Sequence, residues 1–219
     1  MQNSRRRAAE TIAAQALHFI NEKTGAVVPG IEPASTYVRD GNYELRDAFV
    51  YSRYGNPTAV AGEAVINALC GGADALLFNT GMSAITAVFE TLRNGQHVVA
   101  PQVMYHGTAD WLRRLEEIRG IGVTFFDQTE PGALESAIQP GKTAIVWIES
   151  PVNPTWDVID IAEAARLAHN AGAILGLDAT VSPPCTTDEA VNEILFCCRA
   201  PCRAATVSQK SRNRRKCTI

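Results

Sequence analysis

The chain has 219 residues, of which 46% are hydrophobic and 20% charged, and its formal net charge is −3. This composition is typical of a globular protein and argues against intrinsic disorder. No apolar run reaches the roughly 18 residues of a membrane span, and the polar N-terminus lacks an apolar signal core, so we expect a cytoplasmic protein without membrane contacts.

Between about Pro57 and Asp178, apolar runs alternate with helical patterns. The expected elements, in chain order, are strand 75–78, helix 82–92, strand 97–100, helix 108–118, strand 123–126, helix 131–138, strand 144–148, helix 161–171 and strand 174–177. Such alternation predicts an α/β fold, with a mostly parallel sheet that carries helices on both faces. Ligands of such sheets bind at the carboxyl ends of the strands, so functional residues are expected there.

The first strand is followed by Asn79-Thr80-Gly81-Met82-Ser83-Ala84. Thr80 is a suitable N-cap, and Gly81 lets the backbone come close to a ligand above the first helical turn. The pattern therefore predicts an anion site, most simply for a phosphate. An ordinary capped helix start is the alternative explanation, and this stretch alone favours it.

Ser83 permits a different interpretation, because a serine between a strand and a helix resembles the nucleophile of a hydrolase. However, Ile85 stands where a second glycine belongs, and no histidine follows His169. A serine hydrolase is therefore kept only as an alternative. The four histidines show no metal-binding spacing, so we expect no metal site.

Three further side chains follow later strands: Tyr105 after the second, Asn153 after the fourth and Asp178 after the fifth. An aromatic plane, an amide and a carboxylate would share one edge of the sheet with the phosphate site. This set suits a flat, cationic ring that bears a phosphate, and pyridoxal phosphate (PLP) fits that description. Each residue taken alone also has a structural explanation, such as a turn at Asn153-Pro154.

Four stretches in this order resemble the motifs of the Cys/Met-metabolism (transsulfuration) family of PLP enzymes. They are YSRYGNPT from Tyr51, TGMSAI from Thr80, ESPVNP from Glu149 and DAT from Asp178. The resemblance implies a fold type I large domain and an amino-acid substrate. It also implies elimination or replacement at the beta or gamma carbon of sulfur-containing or O-acyl-homoserine amino acids.

The resemblance also implies a role for each matching residue. Tyr51 and Arg53 match a pair that reaches the cofactor phosphate of a neighbouring subunit, which implies a homo-oligomer. The other matches are Gly81 and Met82 as backbone donors to the phosphate, Tyr105 as the catalytic-site tyrosine that stacks on the ring, Asn153 as the contact to the pyridine hydroxyl, Asp178 as the partner of the pyridine nitrogen, and Thr180 beside it. Ala179 replaces the family's usual asparagine, which leaves the carboxylate in place.

One departure from the family is serious. Family members carry a Ser-Ala-Thr-Lys stretch, whose lysine forms a Schiff base with the cofactor, about 25 residues after this aspartate. No such stretch follows Asp178 here, and the four lysines are Lys23, Lys142, Lys210 and Lys216. We therefore expect a catalytically impaired family member that lacks the C-terminal domain. The alternative is a non-catalytic fragment that binds the cofactor or a full-length relative.

The last segment differs from the rest. The charge balance changes from −7 over residues 1–184 to +4 over residues 185–219, and five of the six cysteines lie in the latter. We expect an N-terminal arm (1–50), a partial PLP-binding large domain (51–184) and an atypical, basic, Cys-containing tail (185–219), the last from a shifted reading frame or an alternative end. The tail is expected to form a helix over 188–198 and a mobile basic end over 199–219 that does not bind nucleic acid. Without the family's last strands, strand 75–78 would lack neighbours, which predicts poor solubility or a bound partner.

Overall fold

The computed structural model describes residues 8–182 in full and the backbone of residues 194–198 and 204–207. Contacts divide the chain into two compact units, Met1–Gly71 and Gly72–Ile219. The predicted domain boundaries at residues 50 and 184 stay predictions. In the part of the chain that the structure describes, no helix is long and apolar enough to cross a bilayer.

The first unit contains a long helix that the sequence analysis did not predict. Its helices are α1 (Ala9–Gln15), a 3-10 turn (Ala16–His18) and α2 (Pro57–Cys70). Asn56 caps α2 by accepting a hydrogen bond from the Thr58 N–H at 2.8 Å, and Pro57 occupies the first helical position. Gly71, with φ of +63°, ends it. These start and stop signals are visible in the sequence.

The second unit contains every strand and helix predicted between residues 75 and 177, with bounds shifted by a few residues. Its elements are β1 (Asp74–Leu77), α3 (Gly81–Phe89), β2 (His97–Pro101), α4 (His106–Arg119), β3 (Gly122–Phe126), α5 (Ala133–Ala137), β4 (Thr143–Glu149), α6 (Ile161–Asn170), β5 (Ile174–Asp178), β6 (Ile194–Cys198) and β7 (Ala204–Val207). The strands form one seven-stranded sheet in the order β1-β7-β6-β5-β4-β2-β3. Only β7 runs opposite to the other six strands, so the predicted α/β fold with a mostly parallel sheet is confirmed.

Helices cover both faces of this sheet, because successive strand residues point to opposite sides. In β4, Ile145 and Trp147 pack into a buried cluster with α3 and α4. Val146 and Ile148 pack instead with α6 and with residues of α5. We call these two sides the α3/α4 face and the α5/α6 face.

The tail residues correct two predictions. The helix expected over 188–198 is wrong for residues 194–198, which form β6, while 188–193 lie outside the described residues. Residues 204–207, expected in a mobile end, form β7, and the rest of 199–219 lies outside the described residues. Pairing of β6 with β5 and with β7 overrides local helical preference here.

The tail also supplies the neighbour that β1 was expected to lack. β7 pairs with β1 in antiparallel register, with Asp74 opposite Val207 and Leu77 opposite Ala204. β6 and β7 therefore fill the position between β5 and β1. The expectation that strand 75–78 has no neighbour is therefore wrong. The prediction of poor solubility was based on that expectation and no longer follows from it.

A buried histidine joins three strands at the opposite edge from the strand ends considered above. His97, the first residue of β2, is 2% exposed. Its Nδ1 lies 2.8 Å from Thr143 Oγ1 in β4, and its Nε2 lies 2.8 Å from Thr124 Oγ1 in β3. Burial lowers the pKa of His97 below its usual value, and the positive charge of Lys142 lowers it further.

This lowered pKa predicts a specific pH dependence of stability. The unfolded chain binds a proton at His97 near pH 6.5, whereas the folded chain does so only at a lower pH. The free energy of unfolding should therefore fall as the pH drops from about 6.5 through the folded pKa. Urea unfolding between pH 5 and 7.5 measures this change in the free energy of unfolding, which should be smaller in His97→Gln than in the wild type. The control is His106→Gln, at an exposed histidine. An equal pH dependence of the unfolding free energy in His97→Gln and the wild type would contradict the assignment.

Candidate functional site

The predicted site residues of the second unit follow strands that all run the same way. β2, β4 and β5 are mutually parallel, and β1 shares their direction because it is separated from β6 by the antiparallel β7. Their carboxyl ends therefore meet at one edge of the sheet. Glu149 and Asp178 also lie on the same face of the sheet. Glu149 is two residues beyond Trp147 in β4, Asp178 is two residues beyond Gly176 in β5, and Trp147 and Gly176 both face the α3/α4 side.

Asp178 is the last residue of β5 and is 4% exposed. One of its carboxylate oxygens accepts hydrogen bonds from the backbone N–H of Thr180 at 3.0 Å and from the Thr180 hydroxyl at 2.5 Å. Its main-chain oxygen accepts from the N–H of Ser150 at 3.3 Å. Two turn contacts thus hold a buried carboxylate at the end of the strand, and they place Thr180 directly beside it.

Glu149 lies next to Asp178 in the register of β4 and β5, and it is 6% exposed. Its Oε2 accepts a hydrogen bond from the Tyr105 N–H at 2.7 Å, and its Oε1 accepts one from the Asn153 N–H at 2.9 Å. Desolvation raises the pKa of the Glu149 carboxyl, and the negative charge of Asp178 adds to this, while the two N–H donors oppose it. Glu149 is not among the predicted site residues, although its place at a strand end is the signal that could have identified it.

Tyr105 and Met82 lie together. Tyr105 is the N-cap residue of α4, and its ring centroid is 4.6 Å from that of His106. A Cβ added at Gly107 would lie 2.8 Å from Tyr105 Cε1 and 3.0 Å from Met82 Sδ. The tyrosine ring and the methionine sulfur therefore meet over the same glycine, on which no side chain fits without displacing them.

Gly81 begins α3, as predicted, and Thr80 caps this helix. Thr80 Oγ1 accepts a hydrogen bond from the Ser83 N–H at 2.9 Å. The Ser83 hydroxyl lies 2.8 Å from the Thr80 hydroxyl and donates to Asn79 Oδ1 at 3.0 Å. In this arrangement the serine supports the helix start, and these partners are not the histidine that a hydrolase nucleophile requires.

Asn153 lies in the loop after β4, with its side chain exposed and its N–H bound to Glu149. Ser150 pins the other side of this loop, because its hydroxyl accepts from the Ile159 N–H at 3.1 Å and donates to the Ile159 carbonyl at 3.2 Å. The peptide bonds before Pro151 and Pro154 are cis. Contacts at both ends thus hold the loop in place.

Tyr51 and Arg53 lie in the first unit, whereas the other six predicted site residues lie in the second. Arg53 Nη2 donates to the Tyr51 hydroxyl at 3.2 Å, and its guanidinium lies 5.5 Å from the centroid of the tyrosine ring. The backbone of Tyr51 forms an antiparallel bridge with Thr36. The two side chains form a pair in which the guanidinium stays exposed.

Of the lysines in the second unit, the structure describes Lys142, and the expected loss of the Schiff-base residue stays a prediction. Lys142 immediately precedes β4, and its carbonyl accepts from the His97 N–H at the start of β2. The seven residues of β4 span about 23 Å, so Lys142 lies at the opposite edge of the sheet from Glu149. Lys23 belongs to the first unit, and Lys210 and Lys216 lie outside the described residues.

The residues at the carboxyl edge have chemistry that fits a phosphorylated, cationic ring. The start of α3 orients backbone N–H groups as an anion requires, Tyr105 offers an aromatic plane, and Asp178 offers a buried carboxylate. A carboxylate in such a position favours the protonated form of a ring nitrogen. PLP combines these features, and its site would be formed by groups that lie at one edge and on one face of the sheet.

Comparisons with known proteins agree with this architecture. The model of the family described as Cys/Met metabolism PLP-dependent enzyme matches residues 10–191. The chain is 37% identical over 161 residues to the cystathionine beta-lyase MetC of Bacillus subtilis, covering 74% of this chain and 41% of that enzyme. It is 41% identical over 177 residues to the cystathionine gamma-synthase of Escherichia coli, covering 80% of this chain and 45% of that enzyme.

A solved structure shows the same fold. The cystathionine gamma synthase of Xanthomonas oryzae pv. oryzae, in complex with aminoacrylate and cysteine, superposes with a TM-score of 0.82 at 26% identity, over 93% of this chain and 55% of that one. The chain thus spans about half the length of the relatives it matches or less. Because the family model matches most of its length, the chain belongs to the Cys/Met metabolism family of PLP-dependent enzymes.

Proposed function

We propose that this chain binds PLP at the carboxyl edge of its sheet and that, without the Schiff-base lysine, it is impaired as an enzyme. The observation that carries the proposal is the buried Asp178 carboxylate, which lies at the same edge and on the same face as the Tyr105 loop. The negative charge of such a carboxylate favours the protonated form of a ring nitrogen beside it. That is the form in which PLP acts as an electron sink.

Each site residue has a role in this proposal. Asp178 holds the ring nitrogen protonated, with Thr180 orienting the carboxylate through its two hydrogen bonds. Tyr105 stacks on the ring, and Asn153 contacts the pyridine hydroxyl. The backbone N–H groups of Gly81 and Met82, at the start of α3, take the phosphate.

PLP, when bound, acts as an electron sink for carbanion chemistry on amino acids. In a complete family member this would support elimination or replacement at the beta or gamma carbon of sulfur-containing or O-acyl-homoserine amino acids. The relatives named above are a beta-lyase and gamma-synthases, so the similarity does not favour lyase over synthase chemistry.

The proposed assembly is a homo-oligomer, in which Tyr51 and Arg53 serve the phosphate of a neighbouring copy. The support is their pairing and the exposure of the guanidinium, because an exposed arginine fork suits a phosphate on another chain. The second candidate function is a non-catalytic fragment that binds the cofactor or pairs with a full-length relative. Lys142 lies at the opposite edge of the sheet from Asp178, which supports a chain without Schiff-base chemistry.

A binding and trapping experiment tests the proposal. PLP is added to the full chain, binding is measured by equilibrium dialysis, and the mixture is reduced with borohydride before peptide mapping. We expect saturable binding with no stoichiometric, site-specific lysine adduct, because Lys142 lies at the opposite edge of the sheet. A full-length relative treated in parallel should give one adduct per chain. An adduct mapped to Lys210 would show that the tail supplies the lysine, and absent binding would refute the proposed site.

A further inference from the structure

One carboxylate links the ends of three neighbouring strands at the proposed site. Glu149 ends β4, is paired in register with Asp178 at the end of β5, and hydrogen-bonds the residue that precedes α4 after β2. Its side chain is 6% exposed. Nothing in the predicted set of site residues included it.

The two oxygens of this carboxylate are divided between two loops. Oε2 accepts from the Tyr105 N–H at 2.7 Å, across 44 positions of sequence, and Oε1 accepts from the Asn153 N–H at 2.9 Å. Both distances are in the range of charge-assisted hydrogen bonds. Each loop that carries a proposed ring contact is therefore tied at its backbone to the same side chain.

Only a group with two acceptor oxygens makes both bonds. Glutamine offers one carbonyl oxygen and an NH₂ group, and that NH₂ would face one of the two N–H donors. A shorter aspartate keeps both acceptors but withdraws them from the loops by one methylene. The requirement for a glutamate at this position thus comes from the positions of the Tyr105 and Asn153 backbones.

We propose that Glu149 is the positioning residue of the site, which sets the height and spacing of Tyr105 and Asn153 over the ring that Asp178 holds. The inference rests on the proposed function, because the ring is that of PLP. Glu149 acts through the two loops, because each of its carboxylate oxygens accepts a hydrogen bond from one of them. Its effect is to align both loops before a ligand enters.

Amide exchange tests the alignment without any cofactor. In Glu149→Gln, hydrogen–deuterium exchange should accelerate at least tenfold in peptides containing the amides of Tyr105 or Asn153, while the strands of the sheet keep their rates. Glu117→Gln, at an exposed site on α4, should leave all rates unchanged. Unchanged exchange at both loops, or equal acceleration throughout the sheet, would overturn the proposal, since the second result marks a general structural role.

The spectrum of bound PLP provides the second measurement. The wild-type chain should give an induced circular dichroism band in the cofactor's absorption region, and Glu149→Gln should weaken PLP binding roughly tenfold and reduce that band. Should Glu149→Gln fail to fold, Glu149→Asp replaces it, with the same expectation. No PLP binding by the wild type would refute the proposed function and this role together. Wild-type binding with an unchanged affinity and band in the variant would refute the role of Glu149 alone.

Discussion

Replacing Gly176 with alanine should destabilise the chain by about 3 kcal/mol. An added Cβ would lie 2.6 Å from Trp147 Cε3 and 2.9 Å from Cζ3, closer than such atoms approach one another. Trp147 is fully buried and packs on Phe89 with ring centroids 5.0 Å apart, so it has little freedom to move away. Alanine in a strand gains about 0.5–1 kcal/mol over glycine, which is smaller than the clash.

Urea unfolding measures this loss, and for a chain of this size the melting temperature should fall by roughly 6–12 °C. Gly41→Ala is the matched control, because its Cβ would meet no atom within 4 Å and its backbone is not left-handed. That variant should stay within about 0.5 kcal/mol of the wild type. The double variant Gly176→Ala/Trp147→Phe should lose less unfolding free energy than the sum of the losses in the two single variants, since the smaller ring relieves the contact. A Gly176→Ala chain as stable as the wild type would show that Trp147 moves easily.

Asp178→Asn should weaken PLP binding about 100-fold and leave the fold intact. Asparagine keeps an oxygen that accepts both hydrogen bonds from Thr180, so the turn after β5 is preserved. What is lost is the negative charge beside the ring nitrogen, and breaking a buried charge pair in this way costs about 3 kcal/mol of binding. Without cofactor the variant should unfold at no lower urea concentration, because one of two adjacent buried carboxylates has been removed.

Dialysis with PLP and urea unfolding of the apo chain separate these two effects. Asp110→Asn, at an exposed aspartate paired with Arg113, is the control and should alter neither by a measurable amount. Equal PLP affinity in the Asp178→Asn chain would refute the assignment of Asp178 to the ring nitrogen. A large loss of apo stability would instead show that its charge serves the fold.

The amino-acid pattern by itself determined the alternating strands and helices from residue 75 to residue 178. Apolar runs and helical spacings of apolar residues are local features, so they predict strands and helices without knowledge of the tertiary contacts. The rule that parallel strands end at a common edge then sufficed to expect Tyr105, Asn153 and Asp178 there. The motif order also sufficed for the family, which the match over residues 10–191 confirms.

Tertiary structure decided what depends on distant segments. The pairing of β7 with β1 joins parts of the chain more than 100 positions apart, and the strand at 194–198 is held by its pairing with β5 and β7. Local propensity reports neither of these pairings. The two loop bonds of Glu149 and the approach of Trp147 to Gly176 are set by how strands lie side by side. Such contacts depend on register and on the facing of side chains across strands, and these are properties of the assembled sheet.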